Sequence, residues 1–368
     1  MAASRMSQWG NDLYTGKRSY AIVGHRRRWY YVSAALLTLS VLLLVVRGLN
    51  PSIDFSGGAE FTLSGVSDTS QQPAVDAITA IAPDSVPRVA VIGTSTLQVQ
   101  TGTLDDAQVR QAADALAAAY SIPVADVSSS FVGPNWGSDV TGKALRGLIV
   151  FLVLVTLVMT VYFRAWRMAV AALVALLHDL VITVGLYAGV GWEVSPATVI
   201  GFLTILGYSI YDTVVVFDKV RENTAKTLEQ KRYTHAEMAN LAVNQTLVRS
   251  INTSVVALLP VSGILFIGAF LLGAGTLRDI ALALFIGMIV GTFSSIFIAT
   301  PVAVTLRERE PAIKAHTEMV LAARQAATGS TGTPLEPVRV GASVPGVHLG
   351  TAAQPKRRKP NRPAGRKP

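Results

Sequence analysis

The chain has 368 residues, of which 51% are hydrophobic and only 15% charged, and its mean hydropathy is +0.44. That is more apolar material than a soluble domain buries, which excludes an ordinary water-soluble enzyme and reads as an integral membrane protein. The net charge of +9 lies largely beside the apolar runs and at the C-terminal end, a topology signal rather than a nucleic-acid footprint; the lack of cysteine excludes disulfides and thiolate chemistry.

Residues 1–28 form an N-terminal segment carrying Lys17, Arg18, Arg26, Arg27 and Arg28, followed by a first apolar run at 29–47. The charged flank is like that of a signal peptide. The run from Tyr30 to Val46 exceeds a signal-peptide core, however, and no A-x-A-like cleavage site follows, so a retained helix is expected.

Residues 50–138 read as a small domain. Alternating patterns predict a strand at Ala59–Leu63, a helix at Thr69–Ile81, strands at Val86–Ile92 and Thr96–Gln100, a helix at Asp105–Tyr120 and a strand at Asp126–Val132. The order βαββαβ is that of a ferredoxin-like α+β unit. Asp105 is placed to cap the second helix, and Gly93-Thr94-Ser95 to turn between the central strands.

Five further apolar runs follow at 144–163, 168–190, 195–217, 250–272 and 278–304, each near the about 20 residues needed to cross the hydrocarbon core. The predicted fold is therefore a polytopic helical membrane protein of six spans, with a bundle at 144–304 and the α+β domain inserted after the first span. Arg164 and Arg167 lie between spans two and three, and Lys219, Arg221, Lys226, Lys231 and Arg232 between spans four and five. These loops and both termini are expected in the cytoplasm and the domain outside. Residues 305–368 read as a disordered basic tail. Its last 14 residues hold seven Lys or Arg and no acid, suited to solvent, anionic lipid, RNA or an acidic protein face.

The chemistry concentrates in Gly207–Asn223, GYSIYDTVVVFDKVREN. A charged group at the bilayer centre costs about 2.5 to 3.5 kcal/mol even on insertion scales, so an intramembrane acid such as Asp212 usually faces a polar interior and has a function. Asp179, after His178 in span three, is a second acid, and Arg249 precedes the apolar run of span five. Counted along ideal helices, Asp212 lies roughly 8 Å and Asp179 roughly 16 Å from the cytoplasmic ends, a mismatch that speaks against an aspartyl-protease dyad.

An acid that titrates beside a permanent cation can instead act as a proton relay, Asp212 pairing with Arg249 when ionised and releasing it when protonated. The bland alternatives are an interfacial Arg249 that reaches lipid phosphate, and acids that only bond hydroxyls on neighbouring helices. Gly185 with Gly189, and Gly287 with Gly291, have the small-xxx-small spacing of close helix packing. Pro196, Pro260 and Pro301 start, kink or end spans. No phosphate loop, metal-ligand spacing or nucleophile–base motif is present, so neither an enzyme nor a cofactor is expected.

Four separated motifs resemble the SecF family of the bacterial protein-export machinery, itself similar to proton-driven transporters of the resistance-nodulation-division (RND) superfamily. They are Ile53-Asp54-Phe55-Ser56-Gly57-Gly58, His178-Asp179, the Asp212 stretch and Asn244–Ser254, NQTLVRSINTS, within a resemblance that covers about Tyr20 to Leu306. The resemblance implies a six-span partner, SecD, and use of the proton motive force to assist late preprotein translocation, after SecA has started it through the SecYEG channel. Protons, membrane lipids and the preprotein are then the other partners. It implies proton-relay roles for Asp212 and Arg249, with Asp179 a weaker candidate, and places Gly57-Gly58 at the entry to a mobile domain, as a hinge or as a tight turn. Two other functions remain open: a passive scaffold of the Sec complex, and half of a lipid or drug transporter, although drug-efflux relatives carry much larger extramembrane domains.

Overall fold

The computed structural model describes residues 5–83, 85–92, 95–271 and 275–331. A short helix α1 (Arg5–Tyr14) precedes the first span α2 (Arg26–Arg47), which leads through β1 (Asn50–Pro51) and one turn α3 (Ile53–Ser56) into the inserted domain. That domain comprises β2 (Gly58–Ser64), α4 (Gln72–Ile81), β3 (Arg88–Ile92), β4 (Thr96–Thr101), α5 (Asp106–Ala119) and β5 (Val127–Val132). The chain returns through α6 (Pro134–Phe163) and α7 (Trp166–Val190), a two-residue strand β6 (Glu193–Val194), α8 (Pro196–Thr224) and α9 (His235–Gly263), which runs into a π-helix at Ile264–Leu271. The sixth span is α10 (Gly275–Ser294), a π segment Ser295–Ala299 and α11 (Thr300–Glu308), and α12 (Pro311–Thr331) follows.

Among the described residues, six helices are long and apolar enough to cross a membrane. The third, fourth and sixth spans are 50%, 44% and 50% buried within the chain, against 11%, 6% and 11% for the first, second and fifth. The bundle thus has an inner layer of α7, α8 and α10–α11, flanked by α2, α6 and α9. Capping fixes two of the starts. Ser195 and Thr234 each bond the backbone N–H three residues on, in capping boxes with Thr198 and Glu237 that satisfy otherwise orphaned donors of α8 and α9.

The inserted domain has the ferredoxin-like sheet order β3-β4-β2-β5 with every neighbouring pair antiparallel. The two-residue period places Phe61, Leu63, Leu97 and Val99 on one face, buried against Ile78 of α4 and Leu116 of α5. Glu60, Thr62, Gln98 and Gln100 occupy the other face. Asp105 caps α5 by accepting from Ala107 and Gln108 N–H. The predicted elements match these within three residues at each end; in the Gly93-Thr94-Ser95 turn, Gly93 and Thr94 lie outside the described residues.

A parallel bridge joins domain and bundle, with Asn50 opposite Glu193 and Ser52 N–H bonded to the Val194 carbonyl at 2.9 Å. Gly57 and Gly58 follow with φ of 73° and 131°, conformations that L side chains rarely adopt. A β-carbon on Gly58 would run into the Thr101 carbonyl. Glycine is therefore required at this turn on steric grounds alone.

At the opposite end of the bundle two expectations are corrected. The expected tail at 305–368 contains the end of α11 and the whole of α12, because Ile313, His316 and Val320 recur at helical spacing and are buried while Arg324 forms a two-pronged pair with Glu237 at 2.7 and 2.8 Å. Residues 332–368 lie outside the described residues. The fourth and fifth helices also outrun their apolar cores: α8 continues to Thr224 and α9 begins at His235 rather than near 250. Hydropathy finds the lipid-crossing part of a helix, whereas the polar turns beyond it are held by tertiary contacts. Asn244, for example, accepts from Tyr20 N–H at 2.7 Å and donates to the Tyr20 carbonyl at 2.9 Å, fastening the N-terminal segment to α9.

Candidate functional site: two buried acids in the bundle

Close helix approach creates the site. A β-carbon on Gly287 would overlap the Ile205 side chain, and one on Gly291 would press on Ser209 Cβ at 3.1 Å and Oγ at 3.3 Å. These glycines let α10 lie against α8, near enough for short serine side chains to span the gap. Gly185 and Gly189 do the same for α7 against α2, meeting Ser40 and Leu43.

Asp179 on α7 is completely buried and Asp212 on α8 is 3% exposed. The Asp179 Oδ2 accepts from Ser209 Oγ of α8 at 2.6 Å and from Ser294 Oγ of α10 at 2.7 Å; its Oδ1 lies 3.1 Å from His178 Nδ1. Asp212 accepts from Ser250 Oγ of α9 at 2.7 Å through Oδ1 and from Ser295 Oγ through Oδ2. Four helices thus converge on two carboxylates. His178 Nε2 is buried without a hydrogen-bond partner among the described residues, its ring stacked on Phe293 with centroids 6.4 Å apart.

The expected depth mismatch shrinks. Asp179 is level with Ser209, three residues before Asp212 on the same helix, which is about 4.5 Å of rise. The longer polar extension of α8 invalidates counting from the end of its apolar run. Even so, among the described residues the two carboxylates share no hydrogen bond, so the geometry is not that of a protease dyad.

Arg249 does not join them. It is exposed on the outer side of α9, and its neighbour Ser250 turns inward to Asp212, so no Asp212–Arg249 ion pair exists among the described residues. Successive side chains on a helix diverge by about 100°, so only one of the two can face the bundle interior. Nor is any group of three His, Cys, Asp or Glu side chains able to hold a metal ion present among the described residues.

A second acid cluster lies where the inserted domain meets the bundle. The Gln100 side-chain amide donates to Glu193 at 2.6 Å and to Glu60 at 3.0 Å, so one residue ties the sheet to the α7–α8 connection. Asp279 accepts from Ser195 Oγ at 2.8 Å and pairs with Arg278 at 3.3 Å. Glu60, Glu193, Ser195, Arg278 and Asp279 border a cavity of about 520 Å3, lined also by Ser52, Asp54 and Thr62. Burial pushes the Glu193 carboxyl up to about 7, and Glu60 and Asp279 add to the rise while Gln100 and Arg278 oppose it.

Reading the sequence alone picks out the acids but not their serine partners or Glu193. Some signal existed: Ser209 lies one turn before Asp212, and Ser294-Ser295 is a polar pair within an apolar run. Glu193 carries no signal, because its burial depends on a domain nearly a hundred residues away in sequence.

Residues 111–309 match the family model described as protein export membrane protein SecD/SecF, C-terminal, and residues 42–65 match the SecD/SecF GG motif. The chain is 47% identical over 322 residues to protein translocase subunit SecF of Streptomyces coelicolor, covering 87% of this chain and 86% of that one. It is 45% identical over 323 residues to the SecF subunit of Mycobacterium tuberculosis, covering 85% and 72%. Among solved structures it is similar to SecDF of Thermus thermophilus, a translocon-associated membrane protein, with 31% identity and a TM-score of 0.68. That likeness covers 80% of this chain but only 39% of the SecDF chain. With a family model spanning more than half its length and relatives 45% and 47% identical over most of theirs, the chain belongs to the SecF family of protein translocase subunits.

Proposed function

We propose that the chain uses the proton motive force, together with a SecD half, to assist late movement and release of preproteins that SecA has fed through SecYEG, with both termini in the cytoplasm and the inserted domain outside. The observation that carries this reading is the convergence of α7, α8, α9 and α10 on two fully enclosed acids. A scaffold gains nothing from burying carboxylates that hydrophobic side chains of similar size would replace at no loss of stability. The likeness to a fused SecDF chain, of which this one covers 38% of the length, supports a second half as partner.

Asp212 is the principal proton-carrying group and Asp179, with His178, a second station. Arg249, on the outward side of α9, is available to Asp212 after a rotation of that helix, or to an acid of the partner half. The test is Asp212→Asn in cells where the chain inserts stably with its partner. Proton-dependent export is expected to fall roughly 100-fold. Unchanged export with intact assembly would overturn the proton reading and leave a scaffold.

A further inference from the structure

Both acids rest on hydroxyls, and two of those hydroxyls have a second acceptor. Ser294 Oγ lies 2.7 Å from Asp179 Oδ2 and 3.2 Å from the Gly291 carbonyl, one turn back on its own helix. Ser295 Oγ touches Asp212 Oδ2 and lies 3.1 Å from the Thr292 carbonyl. Ser209 and Ser250, which bond the same two carboxylates, have no second acceptor among the described residues. The serine pair also sits where α10 passes into the π segment Ser295–Ala299, a local widening often found at functional sites.

A hydroxyl donates one hydrogen bond and accepts others, so its role depends on where its proton points. Beside an ionised carboxylate, Ser295 donates to Asp212. Beside a protonated one, the Asp212 O–H donates to Ser295 Oγ, and the serine proton must turn elsewhere. The Thr292 carbonyl receives it. The same alternation holds for Asp179, Ser294 and the Gly291 carbonyl. In either state no buried polar atom of the pair is left without a partner, which is the costly condition in a membrane interior.

We propose that Ser294 and Ser295 are hydroxyl rotors that equalise the two protonation states of Asp179 and Asp212, and that their adjacency on one helix makes the sixth span sense both acids. The proposal rests on the proton reading above. Each serine changes only the direction of its own O–H; the proton gained or lost by each carboxyl is exchanged with water. Consecutive residues diverge by about 100°, which is what allows one helix to address an acid on α7 with Ser294 and an acid on α8 with Ser295. Among the described residues, the titratable groups beside the acids are His178 at Asp179 and Tyr208 at Asp212; the Tyr208 hydroxyl donates to Ser254 at 3.2 Å, and Thr183 donates to the Asp179 backbone carbonyl at 2.7 Å. Ser294 and Ser295 are positioning residues, acting through the carboxyls.

The experiment is proton flux in liposomes containing the full chain and its partner half, driven by an imposed pH gradient and recorded across a range of internal pH. Ser295→Ala is expected to lower flux about tenfold and to displace its pH profile, Ser294→Ala to do so less, and Ser295→Thr, which keeps the hydroxyl, to stay within about twofold of the parent. Ser295→Cys, a poorer donor of similar size, gives the same answer should the alanine variant fail to accumulate: flux falls and the profile moves. If alanine or cysteine at 295 leaves both rate and profile unchanged while Asp212→Asn abolishes flux, the rotors are refuted and the proton reading stands. If Asp212→Asn itself leaves flux intact, the proton reading falls and the rotor proposal falls with it.

Discussion

The acid cluster inside the bundle and the one beneath the inserted domain bury carboxylates by opposite means. Asp179 and Asp212 have separate donors, drawn from different helices and mostly hydroxyl, and they lie about 4.5 Å apart in depth with no hydrogen bond between them. Glu60 and Glu193 share one amide, with a third acid, Asp279, close by. Hydroxyls serve a carboxyl in either charge state, whereas an amide N–H only donates and two anions around it repel. The inner cluster is therefore tolerant of protonation changes and the outer one is sensitive to them.

The largest effect that sharpens this contrast is expected from Gly291→Leu. The side chain would be driven into Ser209 and the Asp179 carboxylate, whose Oδ2 is already 3.6 Å from the position of a β-carbon. Overpacking of this kind costs about 1 to 3 kcal/mol or more, and here it also pulls the serine pair away from the acids. Proton-dependent export should be lost, with a lowered unfolding temperature in detergent. Gly142→Ala on α6, where a β-carbon meets nothing within 4 Å, should be neutral or stabilise by up to about 1 kcal/mol. Equal behaviour of the two variants would mean that close approach of α10 to α8 is not what builds the inner cluster.

The outer cluster predicts a pH dependence of domain docking. Glu193 binds its proton more tightly when docked, with its carboxyl raised from 4.5 to about 7. Below about pH 4.5 both the docked and undocked forms carry the proton, and docking is strongest. As pH rises toward 7 the undocked form ionises first, so docking weakens progressively, and above 7 it levels off. The protection factors of the β1–β6 bridge amides, which are corrected for the intrinsic pH dependence of exchange, should accordingly be higher at pH 5 than at pH 8. Glu193→Gln, neutral at every pH, should flatten that difference. A bridge equally protected at both values in the parent chain would sink the contrast drawn between the clusters.

How far the sequence speaks differs between these regions for a physical reason. Asp212 announces itself because a charge in an apolar run is anomalous wherever the helix lies, and the strands of the inserted domain follow from period-two alternation over one buried face. A serine in a span is a weak signal, so Ser250 and even the Ser294-Ser295 pair acquire a partner only when the crossing of α8, α9 and α10 is known. Glu193 reads as a solvated turn until Gln100 is seen above it. Helix α12 is hidden for the converse reason: its buried side is a thin stripe of Ile313, His316 and Val320 in an Ala- and Thr-rich segment, too weak a signal without the partners it meets in the fold, the Gln230 carbonyl for His316 and Glu237 for Arg324.

The smallest expected effect concerns Arg249, and it tests whether the inner cluster is complete without a cation. Because Arg249 is exposed and Asp212 is bonded by Ser250 and Ser295, removing the guanidinium from the isolated chain breaks no buried contact among the described residues. Arg249→Ala should change the stability of the chain alone by no more than about 0.5 kcal/mol, the range of ordinary surface substitutions. In the complex with its partner half, the proposed proton function predicts that the same variant lowers proton-dependent export, the cation being needed there by Asp212 or by an acid across the interface. A clear drop in the unfolding temperature of the chain alone would show that Arg249 already pairs inside it, and that the hydroxyl shell around Asp212 is not self-sufficient.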